Sequence, residues 1–292
     1  MSNVDWFNES LQAEPVSRYI KVHDKRIHYL IWGDLSKPGL FFIHGYSAHA
    51  NWWDFVSPAF TDNFCVVAID LSGSGESEHR ELYSQEIFAD ELKTVCDDMG
   101  WSEADFIAHS MGGSISLNAT SIYPDLFKSL TLLDSIVVLP PDKVRGFSSN
   151  KSMIRADFIY DNKDAAIESF RLIPPQPCRN DFLLNHIASN SFKETENGWV
   201  LKSDGKIMKT YKSKDLTEIL MSIKCPINIV YGLMSQIFTQ EILDYTLYVG
   251  NIPNERVIGI PGTMHHLFVD DPLSVIDAVS YTHLTLPTKR IV

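Results

Sequence analysis

The segment Ala108-His109-Ser110-Met111-Gly112-Gly113 limits what this chain can fold into more than any other feature. A short apolar run at 105–108 precedes it. Residues 114–123 follow it and read as a helix that Pro124 stops. Passing from strand to helix so abruptly folds the backbone back on itself, and only small side chains leave room for that. Ala108, Gly112 and Gly113 supply them. A serine at the apex of such a turn has its hydroxyl lifted clear of the sheet, at the positive end of the next helix. Ser110 is therefore the candidate nucleophile.

Strands alternate with helices around this turn. Residues 16–22 and 27–32 read as strands joined by His23-Asp24-Lys25, and 40–43, 64–69 and 130–133 as short apolar strands. Residues 84–99 carry Ile87, Phe88, Leu92, Val95 and Met99 at helical spacing. The alternation resumes with a strand at 227–231, a helix near Thr239, a strand at 256–260 and a helix after Pro272. This predicts an α/β fold with a mostly parallel central sheet flanked by helices. Between the two runs the rhythm changes. Residues 139–222 hold helix-like pieces, the break Pro174-Pro175-Gln176-Pro177, and Gly198 and Gly205 flanking a short hairpin. The expected organisation is a core in two parts, 1–138 and 223–278, with a mainly helical cap inserted at 139–222.

Residues 279–292 show no helical periodicity, although 273–278 do. The string from Val279 to Thr288 resembles the translation of a common sequencing-library adapter. It is expected to be a non-native tail that replaced part of the last helix and adds nothing to the fold.

The chain of 292 residues carries 25 Lys and Arg against 37 Asp and Glu, a net charge of −12. Such a surface repels phosphate backbones and argues against a nucleic-acid partner. No apolar run approaches the roughly 18 residues of a membrane span. Cys65, Cys96, Cys178 and Cys225 form no Cys-x-x-Cys pair and show no metal-ligand spacing with histidine, so no metal site is expected. Cys65 and Cys225 border apolar runs and read as buried free thiols, which fits a reducing compartment. The opening Met-Ser-Asn-Val-Asp-Trp-Phe lacks the basic and apolar regions of a signal peptide, and a cytoplasmic location is expected.

The serine turn resembles the Gly-x-Ser-x-Gly nucleophile elbow of α/β hydrolases, with Ala108 in place of the first Gly. Phe41-Phe42-Ile43-His44-Gly45-Tyr46 resembles the family's His-Gly turn after its third strand. Asp70-Leu71-Ser72-Gly73-Ser74-Gly75-Glu76-Ser77 resembles its Asp-x-x-Gly-x-Gly-x-Ser loop after the fourth. Ile260-Pro261-Gly262-Thr263-Met264-His265-His266 resembles the loop that carries the catalytic histidine about seven residues before a proline. Pro272 is seven residues beyond His265. The resemblance spans roughly 16–278, most of the cap excepted, and is nearest to the serine-hydrolase-like branch of capped members. It implies hydrolysis of an ester or related acyl bond of a small-molecule substrate, without metal or organic cofactor.

On that resemblance Ser110 is the nucleophile, and His265 is the base that takes its proton and passes it to the leaving group. The backbone N–H groups of Tyr46 and Met111 are the oxyanion donors. His266 is the rival base, His44 is structural, and the 70–77 loop shapes the floor of the site. Many relatives carry the triad acid as Gly-x-x-Asp after the seventh strand. Here that stretch is Gly232-Leu233-Met234-Ser235, and a hydroxyl cannot carry the charge. Glu241 lies on the following helix, and Asp270 and Asp271 begin the last one. A subset of the fold carries the acid after the sixth strand, where Leu132-Leu133-Asp134-Ser135 lies, so Asp134 is the expected acid. The competing role for Asp134 is to tie down the loop into the cap.

Haloalkane dehalogenases and epoxide hydrolases share the fold but use an aspartate nucleophile, and Ser110 argues against both. The alternatives on a serine triad are a carbon–carbon hydrolase or a lactonase. A receptor-like protein with little turnover is an alternative of a different class. Trp52 and Trp53, near the oxyanion turn, and Phe147 and Phe158, in the cap, are candidates to line an apolar acyl pocket. Their competing role is to pack into hydrophobic cores.

Overall fold

The computed structural model describes residues 3–144, 158–212 and 214–284. The strands are β1 (Val16–Val22), β2 (Lys25–Trp32), β3 (Gly39–Ile43), β4 (Cys65–Ile69), β5 (Ala104–His109), β6 (Phe127–Leu133), β7 (Phe192–Thr195), β8 (Gly198–Leu201), β9 (Ile227–Gly232) and β10 (Val257–Ile260). Eight of them form one sheet in the order β1-β2-β4-β3-β5-β6-β9-β10. β1, β2 and β4 pair antiparallel, and every pairing from β4 to β10 is parallel. All residues of β3, β4 and β5 are buried, as strands covered on both faces must be. The edge strand β1 instead leaves most of its side chains in contact with water.

The helices are α1 (Asn3–Ser10), α2 (Gln85–Asp98), α3 (Met111–Ile122), α4 (Lys163–Ser169), α5 (Asp181–Ser191), α6 (Ile207–Thr210), α7 (Thr217–Ser222), α8 (Gln240–Gly250), α9 (Leu267–Asp270) and α10 (Pro272–Leu284). α2 starts where the sequence asks it to. The Ser84 hydroxyl accepts from the Ile87 N–H at 3.2 Å and caps the helix, while Phe88, Leu92 and Val95 form its buried stripe. Phe41, Val67, Phe88, Leu92, Phe106 and Ile229 belong to one hydrophobic core, and Phe42, Trp53, Val66, Ile107, Val230 and Phe268 to a second. Successive residues of β3, β4, β5 and β9 alternate between the two cores, one on each face of the sheet. Cys65 and Cys225 are buried and form no disulfide, and burial pushes Cys65 up to about 11.

The insertion between β6 and β9 holds α4 to α7 and the hairpin β7–β8. The hairpin differs from expectation. Gly198 begins its second strand with φ +122, and Gly205 lies beyond it. The turn that closes it is Glu196-Asn197, so the glycine supplies a backbone angle next to the turn rather than marking an outer boundary.

The chain end also differs. α10 continues past Ala278 to Leu284. Val275, Ala278, Val279 and Thr282 are all buried, at the i, i+3, i+4, i+7 spacing of a helix face. The pattern escapes a purely apolar reading because its last member is a threonine, whose hydroxyl donates to the Val279 carbonyl at 2.9 Å. The His283 imidazole is only 2% exposed and bonds Thr131 of β6 at 2.9 Å. Residues 285–292 of the expected tail lie outside the described residues.

Candidate active site

The sheet register brings three chain segments to one place. β5 and β6 pair so that His109 faces Leu133, and β6 and β9 pair so that Leu133 faces Val230. The residues that leave these parallel strands, Ser110 and Asp134, therefore emerge side by side at the carboxyl ends, where α/β sheets hold their ligands. The Ser110 N–H donates to the Leu133 carbonyl at 3.2 Å and the Asp134 N–H to the Val230 carbonyl at 2.9 Å. The loop after β10 then crosses over this edge. The Met234 N–H donates to the Thr263 carbonyl at 2.9 Å.

Ser110 takes φ 53° and ψ −120°, and Asp134 takes φ 45°. Non-glycine residues in the left-handed region each cost on the order of 1–3 kcal/mol, which the surrounding packing must hold in place. Close approach explains the glycines. A Cβ on Gly113 would stand 2.4 Å from the Ser135 side chain, and one on Gly45 would stand 2.9 Å from the Ser110 Cβ. The elbow and the His-Gly turn thus touch directly.

A relay of hydrogen bonds links the three side chains. His265 Nε2 is 2.9 Å from Ser110 Oγ, and His265 Nδ1 is 2.7 Å from Asp134 Oδ1. A carboxylate only accepts, so Nδ1 carries the proton and the Nε2 lone pair faces the serine hydroxyl. Asp134 is fully buried, and the Gly232 N–H donates to its Oδ2 at 3.0 Å. The Ser235 hydroxyl donates to Oδ1 at 2.8 Å. Ser235 is a contact that sequence reasoning missed. Its position shows only as the place where many relatives have an aspartate, and its bond to Asp134 spans 101 residues.

The other carboxylates weighed for the acid lie elsewhere. Glu241 pairs with Lys143 at 3.1 Å on the surface. Asp270 accepts from the Met264 N–H at 2.7 Å and from Gln176. Asp271 caps Ser274, whose hydroxyl donates to it at 2.7 Å.

Two backbone N–H groups, of Tyr46 and Met111, are the candidate oxyanion donors. Met111 is the first residue of α3, where N–H groups have no partner within the helix and the dipole is positive. At the His-Gly turn the Gly45 carbonyl accepts from the Ala48 N–H at 3.3 Å and from His44 Nδ1 at 2.7 Å. The Leu71 N–H donates to His44 Nε2 at 3.1 Å, which fixes the Nδ1–H tautomer and ties this turn to the loop after β4. In a trans peptide the N–H points opposite to the carbonyl, so the Tyr46 N–H is aimed away from these bonds. Burial holds His44 below the ordinary histidine value.

Below the loop after β4, Asp70 is buried without exposure. It binds His28 at 2.7 Å and accepts from the Ala50 and Glu76 N–H groups. Burial pushes its carboxyl up, but these partners outweigh it and bring it to about 2.

His109 and His266 pack around His265, one tilted and the other edge-on, with ring centroids 4.8 Å and 4.9 Å from it. Burial, reinforced by neighbouring imidazoles, holds both well below the ordinary histidine range. His266 faces Trp52 at 5.5 Å, whereas it is His265 that meets Ser110. The pocket candidates scatter. Trp53 is fully buried against Phe42 and Phe268 and belongs to a hydrophobic core, because the turn at 50–53 folds it inward. Trp52 is buried between His266, Phe170 and Phe268. Phe158 is 63% exposed beside Tyr160, and Phe147 lies outside the described residues.

Among the described residues no group of three His, Cys, Asp or Glu side chains is placed to hold a metal ion. Among them, too, no helix is long and apolar enough to cross a membrane.

The family model described as "alpha/beta hydrolase fold" matches residues 38–272. A "Serine hydrolase-like protein" of Danio rerio is 24% identical over 189 residues, covering 61% of this chain and 58% of its own length. "Epoxide hydrolase 4" of Homo sapiens is 29% identical over 121 residues, 40% of this chain and 33% of its own. The chain thus aligns with less than two thirds of either protein. Among solved structures, E-2-(acetamidomethylene)succinate hydrolase superposes with a TM-score of 0.79 at 19% identity, over 92% of this chain and 99% of that one. At that identity the likeness is one of fold.

Proposed function

Since the chain belongs to the α/β-hydrolase fold family, we propose that it is a serine hydrolase that cleaves an ester or related acyl bond of a small, apolar substrate. The observation that carries this reading is the unbroken relay Ser110–His265–Asp134, at 2.9 Å and 2.7 Å. Ser110 Oγ attacks the acyl carbon as its proton passes to His265 Nε2. Negative charge then develops on the former carbonyl oxygen, and the N–H groups of Tyr46 and Met111 receive it. One such donor is worth about 10²–10³ in rate. Collapse expels the alcohol, which takes the proton from Nε2 and leaves an acyl-serine. Water enters, gives its proton to His265, and the same oxyanion forms and collapses, returning the proton to Ser110. Asp134 keeps the imidazole oriented and stabilises the imidazolium, and the Nδ1 proton stays on His265 rather than passing to the carboxylate.

Among the relatives is an epoxide hydrolase. That chemistry in this fold starts from an aspartate nucleophile, and a serine at position 110 supports acyl transfer instead. We read residues 139–222 as a cap over the site, with Trp52 and Phe170 as its apolar contact with the core.

A fluorophosphonate probe tests the assignment. It should label the wild type and fail on Ser110→Ala, whose kcat on p-nitrophenyl esters should fall by roughly 10⁴ or more. Labelling that persists in the variant would sink the reading. A panel of esters of rising chain length, run beside a lactone and a vinylogous diketo acid, identifies the bond class.

A further inference from the structure

His265 lies in a loop, 261–266, that belongs to no strand or helix. Three side chains from elsewhere in the fold hold the backbone around its imidazole. Asp270 Oδ2 accepts from the Met264 N–H at 2.7 Å. His109 Nε2 is 3.0 Å from the His265 carbonyl. Gln176 Oε1 accepts from the His266 N–H at 2.9 Å. The first two partners belong to the core. The third comes from the insertion between β6 and β9, 90 residues away in sequence.

Gln176 does two things at once. While its oxygen receives the His266 N–H, its Nε2 donates to both oxygens of Asp270 at 3.0 Å. The orientation of the amide follows from these partners, because an N–H must meet an oxygen on one side and a carboxylate must meet a donor on the other. The side chain therefore spans the two groups that grip the peptides on either side of His265. Burial pushes the Asp270 carboxyl up, and the bonds from Met264 and Gln176 counter this. A glutamate of the same size would lose the donor and set a carboxylate against Asp270. An alanine would release both groups.

We propose that Gln176 is a positioning residue for the reaction, a latch through which the insertion aligns His265 with Ser110. The proposal rests on the triad reading above. A shift of about 1 Å in a reacting group can cost on the order of 10² in rate, so a loop held by few bonds is sensitive to losing one. Asn180 provides a control within the same insertion. It donates to the carbonyls of Val269 and Asp270 at 2.8 and 3.0 Å, and so docks the insertion on the core without touching the peptides that flank His265.

The experiment compares Gln176→Ala, Gln176→Glu and Asn180→Ala in the full chain. It measures kcat and KM on a p-nitrophenyl ester, fluorophosphonate labelling rate, melting temperature, and hydrogen exchange over 261–270. The expected result for both Gln176 variants is a kcat lower by about tenfold or more with KM within about twofold. Labelling should slow in parallel, and amide exchange around His265 should quicken. Melting temperature should move by no more than about 8 °C, the loss of the hydrogen bonds Gln176 makes to His266 and Asp270 in a chain this size. Asn180→Ala should keep kcat within about threefold. The glutamate variant carries the test if the alanine variant does not fold. Near wild-type kcat in the Gln176 variants overturns the latch, as does an equal fall in Asn180→Ala, which would make the effect one of docking in general. A wild type that the probe does not label overturns the triad reading itself. A labelled wild type beside an unimpaired Gln176→Ala overturns the latch alone.

Discussion

Three donors converge on the Asp134 carboxylate: the Gly232 N–H, the Ser235 hydroxyl and His265 Nδ1–H. Asp134→Asn keeps the size but removes the charge and can turn the imidazole to the wrong tautomer. It should lower kcat by roughly 10²–10⁴. Ser235 is one hydrogen bond from the oxygen that holds His265, so Ser235→Asp placed in the Asp134→Asn background should restore part of the rate. Steady-state kinetics on a p-nitrophenyl ester check both. An unimpaired Asp134→Asn would move the acid elsewhere. Ser110, His265 and Asp134 are legible in sequence because each follows a strand and carries a local signature. Gln176 and Ser235 are not. A neutral amide and a hydroxyl have no signature of their own, and their contacts reach across 90 and 101 residues.

At the scale of elements, the sheet strands and α2 follow from apolar runs and caps, and the final helix does not. Its last turn is written in polar residues that become a buried face only because β6 offers partners. The Thr131 hydroxyl meets His283 at 2.9 Å. Deleting 280–292 removes this contact and the buried Thr282. A loss of about 1–3 kcal/mol follows, and with it a fall of roughly 3–8 °C in melting temperature. Calorimetry of the truncated chain checks it, and an unchanged midpoint would show that the last turn carries no stability. The same end of the sheet holds a second serine, histidine and aspartate. Ser129 and Asp105 stand 3.4 and 3.6 Å from one and the same nitrogen, His283 Nδ1. With both partners on one nitrogen, no relay can pass from acid to serine, and residue types alone do not make a site.

For the whole molecule, the buried histidines set the response to acid. Burial lowers His44, His49, His109 and His266, bringing His49 to about 3. Each binds its proton less readily in the folded state than in the unfolded chain, whose histidines titrate near about 6.5. Stability is therefore full above about pH 6.5 and falls as pH drops through that value. Asp70, held at about 2, adds a further loss between about pH 4 and 2. Asp54, Glu91 and Asp270 are raised by burial and act in the opposite sense, but only once the carboxylate range is approached. Urea midpoints should accordingly decline from pH 6.5 to 5, and a flat profile there would contradict the burial of these rings. The long reach of the relay has another consequence, for the chain as it is being made. Ser110 and Asp134 leave the ribosome early, but the histidine between them comes 131 residues after the acid. At about 5–20 residues per second, that is a wait of roughly 7–26 s. Throughout it Ser110 has no His265 beside it, so on the proposed mechanism a half-made chain cannot attack the acyl compounds around it.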